Sequence, residues 1–172
     1  MEFSFIFCEP SLYLFLENLY LTVLRINSSL LISHGIRRNR KAYIIIKDLG
    51  KALIIDGKYV RNYRPDFQSA SGLLLKVLLK GDERRGLRTI PLKALENSIL
   101  RNTTIYHVVE GENLTMPKIL NDKVVIIFPS VKKFKCLRNI GHNEIVIPYA
   151  STLLEHQTAT IVNTLLDEAS VG

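Results

Sequence analysis

Lys123-Val124-Val125-Ile126-Ile127-Phe128 is an unbroken apolar run, of the kind found in parallel strands covered on both faces. Glu144–Ile147, closed by Pro148, and Thr104–Val109, ended by Glu110-Gly111, also read as strands. Thr152–Glu168 then carries Leu153, Ala159, Ile161, Val162, Leu165 and Leu166 at helical spacing. Toward the N-terminus, Phe3–Cys8 predicts a buried strand with Glu9-Pro10 as punctuation. One long helix is expected over Ser11–Ser33, with Gly35 as its left-handed cap. Ala42–Lys47 and Ala52–Asp56 predict strands joined by a turn at Asp48-Leu49-Gly50. Asp66 can cap a helix over Phe67–Lys80. A short strand at Leu87–Ile90 precedes a helix over Pro91–Arg101 with proline at its start. Strands alternating with helices indicate an α/β domain with a largely parallel sheet. With no repeat or linker visible, the 172 residues read as a single domain spanning 1–172.

Composition narrows the classes further. Apolar residues make up 47% and charged residues 23% of the chain, which argues against disorder, a collagen-like repeat or a multi-span membrane protein. Met1–Leu24 is apolar but lacks a basic leader, is broken by Pro10 and is punctuated by Glu2, Glu9 and Glu17. It therefore fits neither a signal peptide nor a membrane span. Two cysteines, Cys8 and Cys136, cannot build a disulfide framework and lack metal-cluster spacing. They read as isolated, inert thiols in a reducing cytoplasm.

The net charge of +7 is unevenly placed. Residues 25–66 hold ten bases against three acids, so this block alone equals the total. Within it lies Arg37-Arg38-Asn39-Arg40-Lys41. Such a run is either a solvated loop or a phosphate-binding patch. Because it follows the expected helix end at Gly35, its side chains are expected to fan from one exposed turn.

No glycine-rich phosphate loop, zinc spacing or Gly-x-Ser-x-Gly elbow is present. His107 lies within a strand and His156 in the first turn of the last helix. Each reads as a structural histidine or a site residue, with the structural reading ahead. No catalytic residue is assigned, and no metal is expected.

Asn27-Ser28-Ser29-Leu30-Leu31-Ile32-Ser33-His34-Gly35-Ile36-Arg37-Arg38 resembles the segment that marks the archaeal tRNA pseudouridine-54 N1-methyltransferases of the SPOUT superfamily. Gly57-Lys58-Tyr59-Val60-Arg61-Asn62-Tyr63-Arg64-Pro65-Asp66 ahead of a helix fits the same family. So does Ile145-Val146-Ile147-Pro148-Tyr149-Ala150, continuing through His156 and Asn163-Thr164-Leu165-Leu166. The resemblance implies a SPOUT-like α/β fold with a C-terminal trefoil knot, a homodimer and S-adenosyl-L-methionine as cofactor. It implies tRNA as partner and methylation at N1 of a pseudouridine. It places His107, Phe128, Ile145, Val146, Ile147, Pro148, Tyr149, Ala150 and Gln157 at the cofactor. Arg37, Arg38, Arg40 and Lys41 are expected to bind RNA.

The chain also departs from the family pattern. A Gly-Asp-His-type loop is replaced by Phe128-Pro129-Ser130-Val131-Lys132. A family cysteine is Gln157 here, and an acidic position in the first helix is Tyr20. Two functions stay open: an S-adenosylmethionine-dependent RNA methyltransferase, or an RNA-binding homodimer with a lost or altered cofactor site. They differ in whether Phe128-Pro129 lines the adenine pocket or fills it.

Overall fold

The computed structural model describes residues 1–99, 101, 103–119, 121–138 and 141–171. Its first strand, β1 (Glu2–Glu9), is followed by α1 (Leu12–Glu17), α2 (Leu19–Leu30) and a small hairpin of β2 (Leu31–Ile32) and β3 (Gly35–Ile36). Next come β4 (Arg40–Ile46), β5 (Lys51–Asp56), α3 (Phe67–Lys80), β6 (Leu87–Pro91) and α4 (Leu92–Ile99). The chain ends with β7 (Thr104–Glu110), β8 (Lys123–Ile127), α5 (Pro129–Lys133), β9 (Asn143–Ile147) and α6 (Glu155–Val171).

Seven strands form one sheet in the order β6-β5-β4-β1-β8-β7-β9. Strands β4, β1, β8, β7 and β9 run parallel, while β5 and β6 are antiparallel to their neighbours. The expected largely parallel α/β sheet is therefore present. Alternation along β1 sends Phe3, Phe5 and Phe7 into one layer and Ile6 and Cys8 into the other. The first layer is closed by Phe15, Val23, Ile26, Leu74, Val77, Val162 and Leu166 from the helices. The second is closed by Leu95 of α4 and Val131 of α5. Ala159, Val162 and Leu166 of α6 are fully covered within the chain, while Ile161 and Leu165 are half-buried.

Four expectations need correction. The helix predicted over Ser11–Ser33 breaks at Asn18, whose side-chain amide donates to Glu9 Oε2 at 3.2 Å. It also ends early, because Leu31–Ile32 pairs with Gly35–Ile36; the left-handed residue is His34 (φ 65°), not Gly35. Residues 129–133, read as loop, form α5, with Pro129 at the first helical position. Cys8 and Cys136 are not isolated thiols: they are joined in a disulfide, with Cα atoms 6.5 Å apart. Their 128-residue separation hid this pairing, and the inference from free thiols to a reducing compartment falls with it. The helix predicted over Pro91–Arg101 begins at Leu92, since Pro91 still pairs with Lys51, and Leu100 lies outside the described residues.

Asp66 caps α3 as expected, accepting the Ser69 N–H at 2.8 Å, and Gly81 closes that helix with φ 67°. Among the described residues no helix is long and apolar enough to cross a membrane.

Phe128 closes the centre of the first layer. It is fully buried, with its ring 4.3 Å from that of Phe7 and 5.8 Å from that of Phe5. Removing it leaves a cavity that its flanking strand cannot collapse into. Phe128→Ala is expected to lower the unfolding free energy by about 3–5 kcal/mol; urea denaturation measures it, and a loss below about 1 kcal/mol would contradict this packing.

Candidate functional site

Strands β7 and β9 run side by side to a common end, with Glu110 opposite Ile147. In parallel sheets, ligands bind beyond the carboxyl ends of such strands. Past this end the chain turns at Gly111, where a Cβ would stand 2.3 Å from Val146 Cγ1. Val146 exchanges backbone hydrogen bonds with Thr115, both at 3.0 Å, which folds the 111–115 segment over β9. On the other side lies the turn Pro148-Tyr149-Ala150, in which Tyr149 takes a left-handed φ of 60° and is 72% exposed. Glu110 ties the two sides together by accepting the Ser151 N–H at 3.1 Å. Between them opens a cavity of about 470 Å³ lined by Glu110, Gly111, Glu112, Pro148 and Tyr149. That volume is within the usual range for small-molecule sites.

The structure brings together only some of the residues expected at the cofactor. Pro148 and Tyr149 line the cavity. Ile145, Ile147 and Ala150 bury their side chains in the core and leave only backbone near the turn. The Val146 side chain faces Gly111. Gln157 is exposed and accepts the Leu154 N–H at 2.9 Å, which is half of a capping box at the start of α6.

His107 does not join them. It sits on the opposite sheet face from Tyr106 and Val108, buried, with Nε2 3.3 Å from Glu144 Oε1. Phe128 does not line the cavity either, since its ring is stacked in the aromatic core. Glu110, Gly111 and Glu112 were missed, although Glu110-Gly111 was visible in the sequence as a strand end.

A buried ionic cluster supports the turn. Glu9, 2% exposed, pairs with Arg25 Nη1, and Arg25 Nε lies 3.0 Å from Glu155 Oε2. The second contact is an ion pair without hydrogen-bond alignment, since Oε2 has no hydrogen-bond partner. The other Glu155 oxygen accepts the Ser130 N–H at 2.6 Å, and Ser130 Oγ accepts the Cys8 N–H at 2.9 Å. The starts of α5 and α6 are thus fixed to the end of β1. Neighbouring His156 is held below its ordinary pKa by burial and by the Arg25 charge.

The basic run does not fan from one turn. Arg40 is 1% exposed, with its guanidinium 4.1 Å over the Phe3 ring. Arg40 Nε donates to Asn163 Oδ1 at 3.0 Å and Nη2 to Asp167 Oδ1 at 3.1 Å. Burial lowers its pKa to about 10, opposed by Asp167 and reinforced by Arg37. Arg37 donates to Asp167 Oδ2 at 2.7 Å and also to the Leu31 carbonyl. Lys41 Nζ lies 3.4 Å from Glu2 and 3.6 Å from Asp56. Only Arg38 of the four is both exposed and without an ion-pair partner; it donates to the Lys58 carbonyl at 3.3 Å. The expected patch is corrected accordingly: strand alternation turns Arg40 into the helical layer, where a bare cation could not stay without Asp167. Among the described residues no cluster of His, Cys, Asp or Glu is arranged to hold a metal ion.

No protein-family model and no curated protein sequence matches the chain. In three dimensions it is similar to the crystal structure of Archaeoglobus fulgidus Nep1 bound to S-adenosylhomocysteine. The likeness covers 100% of each chain with a TM-score of 0.61 at 9% sequence identity. It establishes the fold: the seven-stranded, largely parallel sheet is the SPOUT-like arrangement that the sequence resemblance implies.

Asp167 is the counter-charge of two arginines and is itself partly open to water. Asp167→Ala is expected to cost about 2–3 kcal/mol, below the 3–5 kcal/mol of a fully enclosed pair. Arg40→Ala should likewise destabilise the protein while leaving the salt dependence of its retention on a polyanion such as heparin unchanged. A changed salt slope with an unaltered melting temperature would return Arg40 to a phosphate-binding role.

Proposed function

We propose that the protein is an S-adenosylmethionine-dependent RNA methyltransferase, acting on tRNA at N1 of pseudouridine 54 and working as a homodimer. The observation that carries this reading is the cavity beyond β7 and β9, built at the carboxyl ends of parallel strands. The fold is shared along its full length with a protein crystallised with S-adenosylhomocysteine. The trefoil knot implied by the sequence resemblance belongs to the same reading.

The lining fits the cofactor chemically. Glu110 and Glu112 offer carboxylate oxygens that suit ribose hydroxyls and a cationic guest, and the exposed Tyr149 ring offers a face for a base. Gly111 holds the chain where any side chain would meet Val146. The bound cofactor supplies an electrophilic methyl group on a sulfonium. The turn Pro148–Ala150, fixed through Glu110 to Ser151, would hold it against the cavity. N1 of pseudouridine carries a weakly acidic N–H, whose proton would pass to water as N1 accepts the methyl group. Alignment of the two reactants by a rigid turn supplies much of the rate. A carboxylate lining also prefers the sulfonium to the neutral thioether product, which favours exchange after transfer.

Calorimetric titration with S-adenosylmethionine is expected to show one site per subunit. Glu110→Gln should weaken it by about tenfold, or about 1.4 kcal/mol, and weaken S-adenosylhomocysteine less. Absence of heat or thermal stabilisation at saturating cofactor would overturn the methyltransferase and favour the RNA-binding homodimer.

On α6, Ala159, Val162 and Leu166 are covered and Ile161 and Leu165 are half-buried, so the more exposed apolar surface of α1 is the expected dimer contact. Tyr13, Leu14 and Leu16 of α1 are exposed, at 68, 38 and 42%. Sedimentation at micromolar concentration should give twice the 19.6 kDa chain mass, and Leu16→Glu should shift it toward monomer. A wild-type monomer would overturn the dimer.

A further inference from the structure

Four cations that the fold leaves without counter-charges gather at the end of the sheet opposite the cofactor cavity. Arg38, Lys58, Arg61 and Arg85 are all exposed, and none pairs with a carboxylate among the described residues. They surround a cavity of about 720 Å³ together with Tyr59. A second cavity of about 360 Å³ continues from it, sharing Tyr59 and Arg85 and adding Arg88. The nearby acids are already engaged. Glu2 is 3.4 Å and Asp56 3.6 Å from Lys41, and Asp56 Oδ1 also accepts the Lys58 N–H at 2.9 Å.

Three turns build this groove, and two glycines let them meet. A Cβ on Gly57 would lie 2.2 Å from the Arg37 carbonyl oxygen and 2.9 Å from that of Arg40. The turn carrying Lys58 therefore seats directly on the turn carrying Arg38, sealed by Gly57 N–H donating to the Arg40 carbonyl at 3.0 Å. Gly86, at φ 82°, sits where a Cβ would be 2.2 Å from Val60 N and 2.6 Å from the Tyr59 carbonyl carbon. This packing sets the Arg85 guanidinium 5.0 Å over the Tyr59 ring, with Lys58 Nζ 5.5 Å from the same ring. Like charges are held together by backbone contacts. They are not spread apart by their repulsion.

We infer that this groove, centred on Arg38, Lys58, Arg61 and Arg85 around Tyr59, binds the phosphate backbone of the RNA and anchors a part of it remote from the methylated base. The proposal rests on the reading of the protein as an RNA methyltransferase. Cations facing a concave channel displace counterions condensed on a polynucleotide. A flat lipid surface does not enter such a channel. The groove lies at the start of β4 and the cofactor cavity at the ends of β7 and β9. Strands spaced about 4.8 Å apart and rising about 3.3 Å per residue put them roughly 25–30 Å apart. A flipped base and its neighbouring phosphates cannot span that distance, so the anchored backbone belongs to the body of a folded RNA.

The test compares a full-length tRNA transcript with its isolated T-arm stem-loop, using fluorescence anisotropy over a range of salt concentrations. With Arg38, Lys58, Arg61 and Arg85 all changed to Ala, the salt slope for the transcript should fall by about 3, from roughly 0.7–0.9 per lost contact. Stem-loop affinity and S-adenosylmethionine affinity should not change. Arg61→Glu alone, in an exposed turn, should weaken the transcript in the same direction, and Arg61→Lys should retain binding. Unchanged transcript affinity and slope in folded variants would overturn the groove while leaving the methyltransferase reading intact. An equal loss for the stem-loop would overturn its remote position. Capture by phosphatidylserine vesicles without RNA binding would overturn RNA as its ligand. Loss of cofactor binding in the wild type would instead strike the functional reading alone.

Discussion

Strand β1 is enclosed on every side, by β4 and β8 at its edges and by helices on both faces. Its ends bring charge into the interior, and the architecture follows from how that charge is met. Glu9 at one end is nearly inaccessible and is answered by Arg25. At the other end Phe3 lies under the buried Arg40, which is answered by Asp167. Both answers involve α6: Arg25 also meets Glu155 at its start, and Asp167 lies near its end. Twelve helical residues rise about 18 Å, and the strand from Phe3 to Glu9 rises about 20 Å. Helix and strand match in length, so one pair of ionic clamps fixes α6 at both ends. Isolated buried charges would be costly, which makes this registration stringent. The turn Pro148–Ala150, which lines the cavity beyond β7 and β9, runs directly into the clamped start of α6.

The same pairing divides the cations into two populations. Arg25, Arg37, Arg40 and Lys41 face carboxylates and hold elements together. Of the many that do not, Arg38, Lys58, Arg61 and Arg85 converge on one concave surface. A net charge of +7 therefore says little until the structural cations are set aside. Density of charge along the chain is a poor guide here. The cations of Arg37-Arg38-Asn39-Arg40-Lys41 divide between interior and surface, while the groove draws its cations from three separated turns.

Periodicity made most of the elements legible. The apolar runs gave β1, β4, β5, β7, β8 and β9 nearly to the residue, and Asp66 marked the start of α3. What stayed hidden depends on partners distant in sequence. Asn18 interrupts a good helical pattern because Glu9 attracts its amide, and Cys8 meets Cys136 only once β1 and α5 are packed together. The family resemblance led to the right fold and to Pro148 and Tyr149 at the cavity. It also placed His107 and Phe128 beside the cofactor, whereas Phe128 packs into the aromatic core and His107 pairs with Glu144. Glu110 and Glu112 carried no motif and gained meaning only when β7 and β9 ended together.

The sheet topology explains why two cavities sit at opposite ends. In the parallel core, β1, β4, β8, β7 and β9 all deliver their following loops to the same edge, where the cavity lined by Glu110 and Tyr149 forms. Strand β5 reverses direction: its last residues, Ile55 and Asp56, pair with Ala42 and Lys41 at the beginning of β4. The turn after β5 is thereby returned to the opposite edge, beside the turn that precedes β4. Strand β6 reverses again and starts at that edge, so the loop before it arrives there too. A parallel β5 would have sent Lys58 and Arg61 to the cofactor side and left Arg38 without neighbours. The two antiparallel strands thus do more than widen the sheet: they assemble the basic groove, and close contacts at Gly57 and Gly86 set its shape.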